Sequence, residues 1–143
     1  MTPLDYIRFL IDQGAKLSNR QAEAIHAYFH QMQRRGRVVN IFEGEHPIAF
    51  ATFFLMHSAD QIPRYHLRPV WSTPADAPSG PVIYLDLVCA TTWNRQLRRD
   101  LSHILTMHYP ELRDAYWHRL RGNGLPDRLV HWKIQEVFHA IDL

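Results

Sequence analysis

Of its 143 residues only one, Cys89, is a cysteine, so no disulfide can form within the chain. No stretch of about 18 apolar residues is present, and none is expected to span a membrane. Neither sign of charge dominates. Sixteen Lys and Arg face fourteen Asp and Glu, for a formal net charge of +2. That balance argues against a protein devoted to wrapping nucleic acid, although local basic clusters remain. The N-terminus lacks a charged-then-apolar leader, so a reducing, cytoplasmic location is the expectation.

What the chain does have suits one compact α/β domain over residues 1–143. Apolar residues make up 46% and charged residues 21%, enough to build a core without staples. The ten histidines make the net charge responsive to mild acid.

Helix signals come first. Thr2 caps, Pro3 suits a first turn, and Leu4, Ile7, Leu10 and Ile11 share a face that Gly14 closes. Ser18 is a second cap. Asn19 to about Arg35 carries Ala22, Ile25, Ala27, Phe29 and Met32 near helical spacing, and Gly36 stops it. Arg37 to Glu43 reads as a strand, Glu43 to Pro47 as a hairpin turn, and Ile48 to Met56 as an antiparallel partner covered on both faces.

Ser58 to Pro81 holds five prolines and reads as a long loop, a lid or a partner-binding edge. Trp71 within it is a candidate partner anchor. Val82 to Cys89 is the plainest strand, and Trp93 to about His108 a helix with Leu97, Leu101, Ile104 and Leu105 on one face. Ala115 to Leu120 and Arg128 to Trp132 read as strands around a Gly122-Asn123-Gly124 turn. Ile134, Val137, Phe138 and Ile141 suggest a last helix. A helix between the strands at Val82 and Ala115 makes a crossover, so those strands should run parallel.

This order resembles the GNAT acyltransferase superfamily, a mixed antiparallel and parallel central sheet flanked by helices. Within it, three segments resemble the lysine acyltransferases that activate RTX toxins. Glu45-His46-Pro47-Ile48-Ala49-Phe50 is similar to the family's Pro-Val-Ala-Tyr strand entry. Tyr84-Leu85-Asp86-Leu87-Val88-Cys89-Ala90 is similar to its Phe-Ile-Asp-Trp-Ile-Ala-Pro strand. His108-Tyr109-Pro110-Glu111-Leu112 is similar to its Phe-Pro-Asp-Glu-Leu segment. The resemblance implies a catalytic aspartate at Asp86. Ser18 stands near where that family has its histidine, and Ala90-Thr91-Thr92-Trp93-Asn94 replaces the superfamily's glycine-rich phosphate loop. Serine does not substitute for imidazole as a base at neutral pH, and bulky side chains obstruct a phosphate's approach to the backbone.

Asp86 interrupts seven apolar neighbours, and a buried carboxylate is costly unless paired. It reads either as an acid/base group or as a structural carboxylate. His26 and His30, four apart on a helix, do not complete a metal set, but either is a candidate for the missing base. Cys89 reads as a packing thiol or a nucleophile. Val88, Cys89, Ala90 and Thr91 offer backbone donors for an oxyanion and a thioester donor. Arg95, Arg98 and Arg99 at the following helix start suit the donor's phosphates, or simply form a solvated face. Trp117, His118, Arg119, Arg121, Arg128 and Trp132 mix aromatic and basic character, as base-stacking surfaces and ordinary sheet faces both do.

Three functions follow as expectations. The first is acyl transfer from acyl-CoA or an acyl carrier protein to an amine, such as a protein lysine, with no permanently bound cofactor or metal. The second is a non-catalytic inhibitor or accessory factor on the same scaffold, binding a protein through Ser58–Pro81. The third is a nucleic-acid module, whose binding would weaken steeply with salt.

Overall fold

The computed structural model describes residues 1–64, 74–120 and 126–134. The elements run α1 (Pro3–Asp12), α2 (Asn19–Arg34), β1 (Val38–Glu43), β2 (His46–Met56), β3 (Val82–Ala90), α3 (Arg95–His108), β4 (Asp114–Leu120) and β5 (Pro126–Lys133). A single 3-10 turn, Ala59–Gln61, follows β2. Five strands form one sheet in the order β1-β2-β3-β4-β5. The chain divides into two compact units, Met1–Thr52 with Val88–Thr92, and Phe53–Leu87 with Trp93–Leu143.

Local chemistry sets the helices of the first unit. At α1 the Thr2 hydroxyl accepts the Asp5 N–H, while the Asp5 carboxylate accepts the Thr2 N–H at 2.7 Å. Ser18 and Gln21 make the same reciprocal pair at α2. Both helices stop alike. The Gly36 N–H donates to the Gln33 carbonyl and the Arg37 N–H to the Met32 carbonyl, with Gly36 at φ 68°. Gly14 and Ala15 repeat this at the end of α1. That left-handed closing residue is where glycine avoids a side-chain clash.

Phe29 and Met32 are the buried residues of α2, whereas Ala27, expected on the same face, is exposed. The inward stripe follows residues 25, 29 and 32 at helical spacing, and Ala27 falls off it. Tyr6 stacks on Phe29 with centroids 4.3 Å apart, and Phe50 meets both rings edge-on. The buried Tyr6 hydroxyl donates to Asn40 at 2.7 Å, so its polar end is satisfied.

β1 and β2 pair antiparallel, from Val38 opposite Thr52 to Glu43 opposite His46. The turn is only Gly44-Glu45, so β2 starts at His46, two residues earlier than its apolar run suggested. The pairing passes from Ile41 opposite Ala49 to Phe42 opposite Pro47 and skips Ile48, an irregularity of the kind that accompanies proline in a sheet.

In the second unit, residues 53–56 of β2 are all buried, as are Val82 to Asp86 of β3. Thr91, just past β3, donates to Ile48 near the start of β2, while Gly80, just before β3, lies against Met56 at the end of β2. The two strands therefore run in opposite directions. β3 and β4 pair parallel, Val82 opposite Asp114 through Leu85 opposite Trp117, with α3 as the crossover. β5 returns antiparallel to β4. α3 begins at Arg95 rather than Trp93 because the Asn94 carboxamide caps it, accepting the Leu97 N–H at 2.8 Å. Leu97, Leu101 and Leu105 form its buried stripe. The expected helix beyond Ile134, the Gly122-Asn123-Gly124 turn, Trp71 and Arg121 lie outside the described residues. Among the described residues, no helix is long and apolar enough to cross a membrane.

Candidate functional site

Strand alternation divides β3, β4 and β5 into two chemically distinct faces. Tyr84 is opposite Tyr116, and Tyr116 is opposite His131. One face therefore carries Tyr84 and Asp86 from β3, Asp114, Tyr116 and His118 from β4, and His131 from β5. The other carries Ile83, Leu85, Ala115 and Val130 with two tryptophans, Trp117 and Trp132. Those indoles meet edge to face at 4.3 Å, and the Arg98 guanidinium of α3 lies 3.7 Å over the Trp132 ring.

The polar face holds two hydrogen-bonded pairs. The Tyr84 hydroxyl and His118 Nδ1 are 2.7 Å apart, with the rings 5.6 Å apart and nearly perpendicular. Tyr84 is fully buried and His118 half-buried. Nearer the β5 side, His131 Nε2 is 2.7 Å from the Asp114 carboxylate, and the His131 ring stacks on Tyr116 at 4.4 Å. Both members of that second pair are substantially exposed, at 40% and 32%, so solvent screens it and it contributes little to stability.

Asp86 is 7% exposed, the one buried carboxylate among the described residues. It follows Tyr84 by one pleat. The β3–β4 pairing ends with Leu85 opposite Trp117, and Asp86 and His118 each follow that last paired position in its own strand. This polar face thus gathers a carboxylate, a phenol and an imidazole in a single compact unit.

The other expected positions are distributed as follows. His26 and His30 are both exposed on α2 and belong to the first unit, whereas Asp86 belongs to the second. Val88, Cys89 and Ala90 are half-buried at the end of β3, and Thr91 is exposed. The Thr91 N–H donates to the Ile48 carbonyl at 2.9 Å. Burial pushes the Cys89 thiol above its ordinary pKa, against a smaller opposing hydrogen bond from the Ala90 backbone. A raised pKa lowers the thiolate fraction on which a cysteine nucleophile depends. Arg95 is exposed, while Arg98 and Arg99 are half-buried. Desolvation first, and then the neighbouring charge of Arg95, lower the pKa of Arg98. No group of three or more metal-ligating side chains occurs among the described residues.

No protein-family model matches the chain, and no curated protein matches it.

Asp114, Tyr116 and His131 are not among the positions expected from the sequence, and Tyr84 and His118 enter there only within the Asp86 segment and a basic-aromatic run. The available signal was alternation. Tyr84 and Asp86 are two apart, as are Tyr116 and His118, so each pair shares a strand face.

Proposed function

We propose that the protein is an acyltransferase of GNAT-like architecture. It would move an acyl group from a thioester donor, acyl-CoA or an acyl carrier protein, to an amine such as a protein lysine. One observation carries this reading: the buried Asp86 shares a sheet face with the hydrogen-bonded Tyr84 and His118, in the strand that leads into α3. Amine acylation needs a group to orient the acceptor and another to take its proton. A carboxylate and an imidazole on one sheet face suit those tasks. The parallel β3–β4 crossover is in keeping with the scaffold, and the resemblance of the Asp86 segment to toxin-activating acyltransferases adds support. A cytoplasmic setting, where acyl thioesters are made, fits the single unpaired thiol.

The direct test incubates the full chain with acetyl-CoA, longer acyl-CoAs and acylated carrier protein, together with lysine-containing peptides, and follows intact mass. Turnover by the wild type, reduced at least tenfold in Asp86→Asn, is the expected result. If no donor binds by calorimetry at millimolar concentration and no peptide gains mass, the enzyme reading is wrong.

One observation favours a second reading, a non-catalytic protein-binding factor. Two groups expected at a donor site are already engaged, Arg98 on Trp132 and the Thr91 N–H on Ile48. Capture of a protein partner by the wild type, undisturbed in Asp86→Asn and without any acylation, is the result that distinguishes it.

A further inference from the structure

We infer that the outer edge of β1 joins two copies of this chain. In the dimer, β1 pairs antiparallel with β1 of the second copy, in a register centred on Asn40.

The edge is open. β1 lies at one end of the sheet and pairs with β2. The two-residue turn Gly44-Glu45 makes Glu43 and His46 the hydrogen-bonded pair that closes the hairpin. Backbone direction alternates along a strand, so Glu43, Ile41 and Val39 turn their N–H and C=O groups toward β2. Phe42, Asn40 and Val38 turn theirs outward. Among the described residues, nothing hydrogen-bonds to those outward backbone groups. Phe42 is exposed, and Val38 and Asn40 are half-buried.

The two edges of the sheet differ in kind. β5 starts at Pro126, its pairing slips between Arg119 and Leu120 of β4, and it ends in Lys133. Proline, irregularity and lysine are the usual means by which an edge strand is kept from pairing. β1 has no proline and no charge from Val38 to Phe42, a β-branched and aromatic run around one Asn. The extra residue at its own register shift, Ile48, belongs to β2.

This run matches itself in one register. Centred on Asn40, Val39 falls opposite Ile41 of the second copy, Val38 opposite Phe42, and Asn40 opposite Asn40. The flanking charges, Arg37 and Glu43, fall opposite one another with opposite sign. Moving the centre to Ile41 sets Asn40 against Phe42 and Val39 against Glu43. Moving it to Val39 sets Val38 against Asn40 and Ile41 against Arg37. The register on Asn40 alone sets apolar residues against apolar ones.

Asn40 itself marks the axis. Its oxygen accepts the Tyr6 hydroxyl proton at 2.7 Å, while its NH2 group makes no hydrogen bond among the described residues. Across the two-fold axis, each NH2 group faces the carboxamide oxygen of the other copy, which has a second lone pair. Phe42 shares the Asn40 face of β1, and at 48% exposure it gains Val38 of the second copy as a neighbour. A two-fold pairing of this kind closes after two copies, because it uses the same edge on both.

Sedimentation of the full chain should show a dimer that dissociates on dilution. Val38→Pro removes an outward N–H and leaves the bonds to β2 in place. Phe42→Lys puts a charge on the edge. Each should raise the dimer dissociation constant at least about tenfold, with native circular dichroism retained. Disulfide trapping in a Cys89→Ala background reads the register. Asn40→Cys sets two residues across the axis with Cα atoms about 5.5 Å apart, within disulfide reach, and should give a covalent dimer on mild oxidation. Val39→Cys, opposite Ile41, should not. A chain that stays monomeric up to about 1 mM overturns the inference. So does a dimer that neither Val38→Pro nor Phe42→Lys weakens, or one trapped by Val39→Cys in place of Asn40→Cys.

Discussion

The carbonyl oxygen of Met56 sits where a side chain on Gly80 would begin. This is a close approach of two backbones at the end of β2 and the entry to β3, not a demand for an unusual backbone angle at residue 80. The Gly80 N–H also reaches the Glu111 carboxylate at 3.3 Å. Gly80→Ala is therefore expected to lower stability by about 1–3 kcal/mol, as overpacking does. Urea denaturation measures it, and an unchanged midpoint contradicts the close approach.

The aromatic cluster of the first unit gives a second prediction. Phe29 is fully buried between Tyr6 and Phe50. Phe29→Ala should cost about 3–5 kcal/mol, the range for emptying such a position. Tyr6→Phe keeps the ring and loses the hydroxyl that bonds Asn40 and interacts with Gln33, so a cost of about 1 kcal/mol is expected. If the two variants unfold at the same denaturant concentration, the packing account is wrong.

Helix ends supply a third. Ser18→Ala removes the hydroxyl that accepts the Gln21 N–H, and about 1 kcal/mol should be lost. Gly36→Ala leaves open space around the new methyl group but forces alanine to φ 68°, at about 1–2 kcal/mol. The control is Gly36→Asn, which tolerates that region better and should fall between glycine and alanine in thermal melts.

Alkaline pH gives a fourth. Burial raises the pKa of both Tyr6 and Cys89 above their ordinary values. Each group ionises first in the unfolded chain. The stability they contribute is whole below the ordinary thiol range, and it declines as pH rises through the raised folded values. Melting temperature should therefore fall progressively on the alkaline side, less so in Cys89→Ala. Iodoacetamide should also modify native Cys89 more slowly than free cysteine at pH 8, as read by intact mass. Equal rates would show that the thiol is not perturbed.

Much of the architecture was legible because its signals are local. Thr2, Ser18, Gly14 and Gly36 mark helix ends by chemistry within four residues. The parallel pairing of β3 with β4 followed from one helix lying between two strands. The pairing of Tyr84 with His118 was not legible, because these residues are 34 apart in sequence. Alternation tells which residues share a face of one strand, but register between strands depends on packing across the sheet. The helical spacing of His26 and His30 is local and therefore legible, whereas their exposure on α2 depends on how the helix packs. The place of Arg98 near a helix start suits a phosphate or a solvated face equally. Its contact with Trp132 depends on how β5 returns along β4.

The sheet order copies the chain order, so every strand lies beside its neighbour in sequence. Its steps are unequal in kinetic terms. The β1–β2 hairpin closes through two residues, a microsecond event in isolation. The β3–β4 pair waits for α3 to form and fold back, so its loop-closure entropy is spent before any pairing is gained. Refolding rates should therefore respond most to substitutions where β3 meets β4, such as Ala115→Gly. Substitutions in the hairpin, such as Val39→Ala, should mainly hasten unfolding. A chevron series on these two variants reads the order of assembly, and the reverse pattern would assign the nucleus to the hairpin. The face that carries Tyr84, Asp86 and His118 would then be among the last parts of the molecule to acquire its geometry.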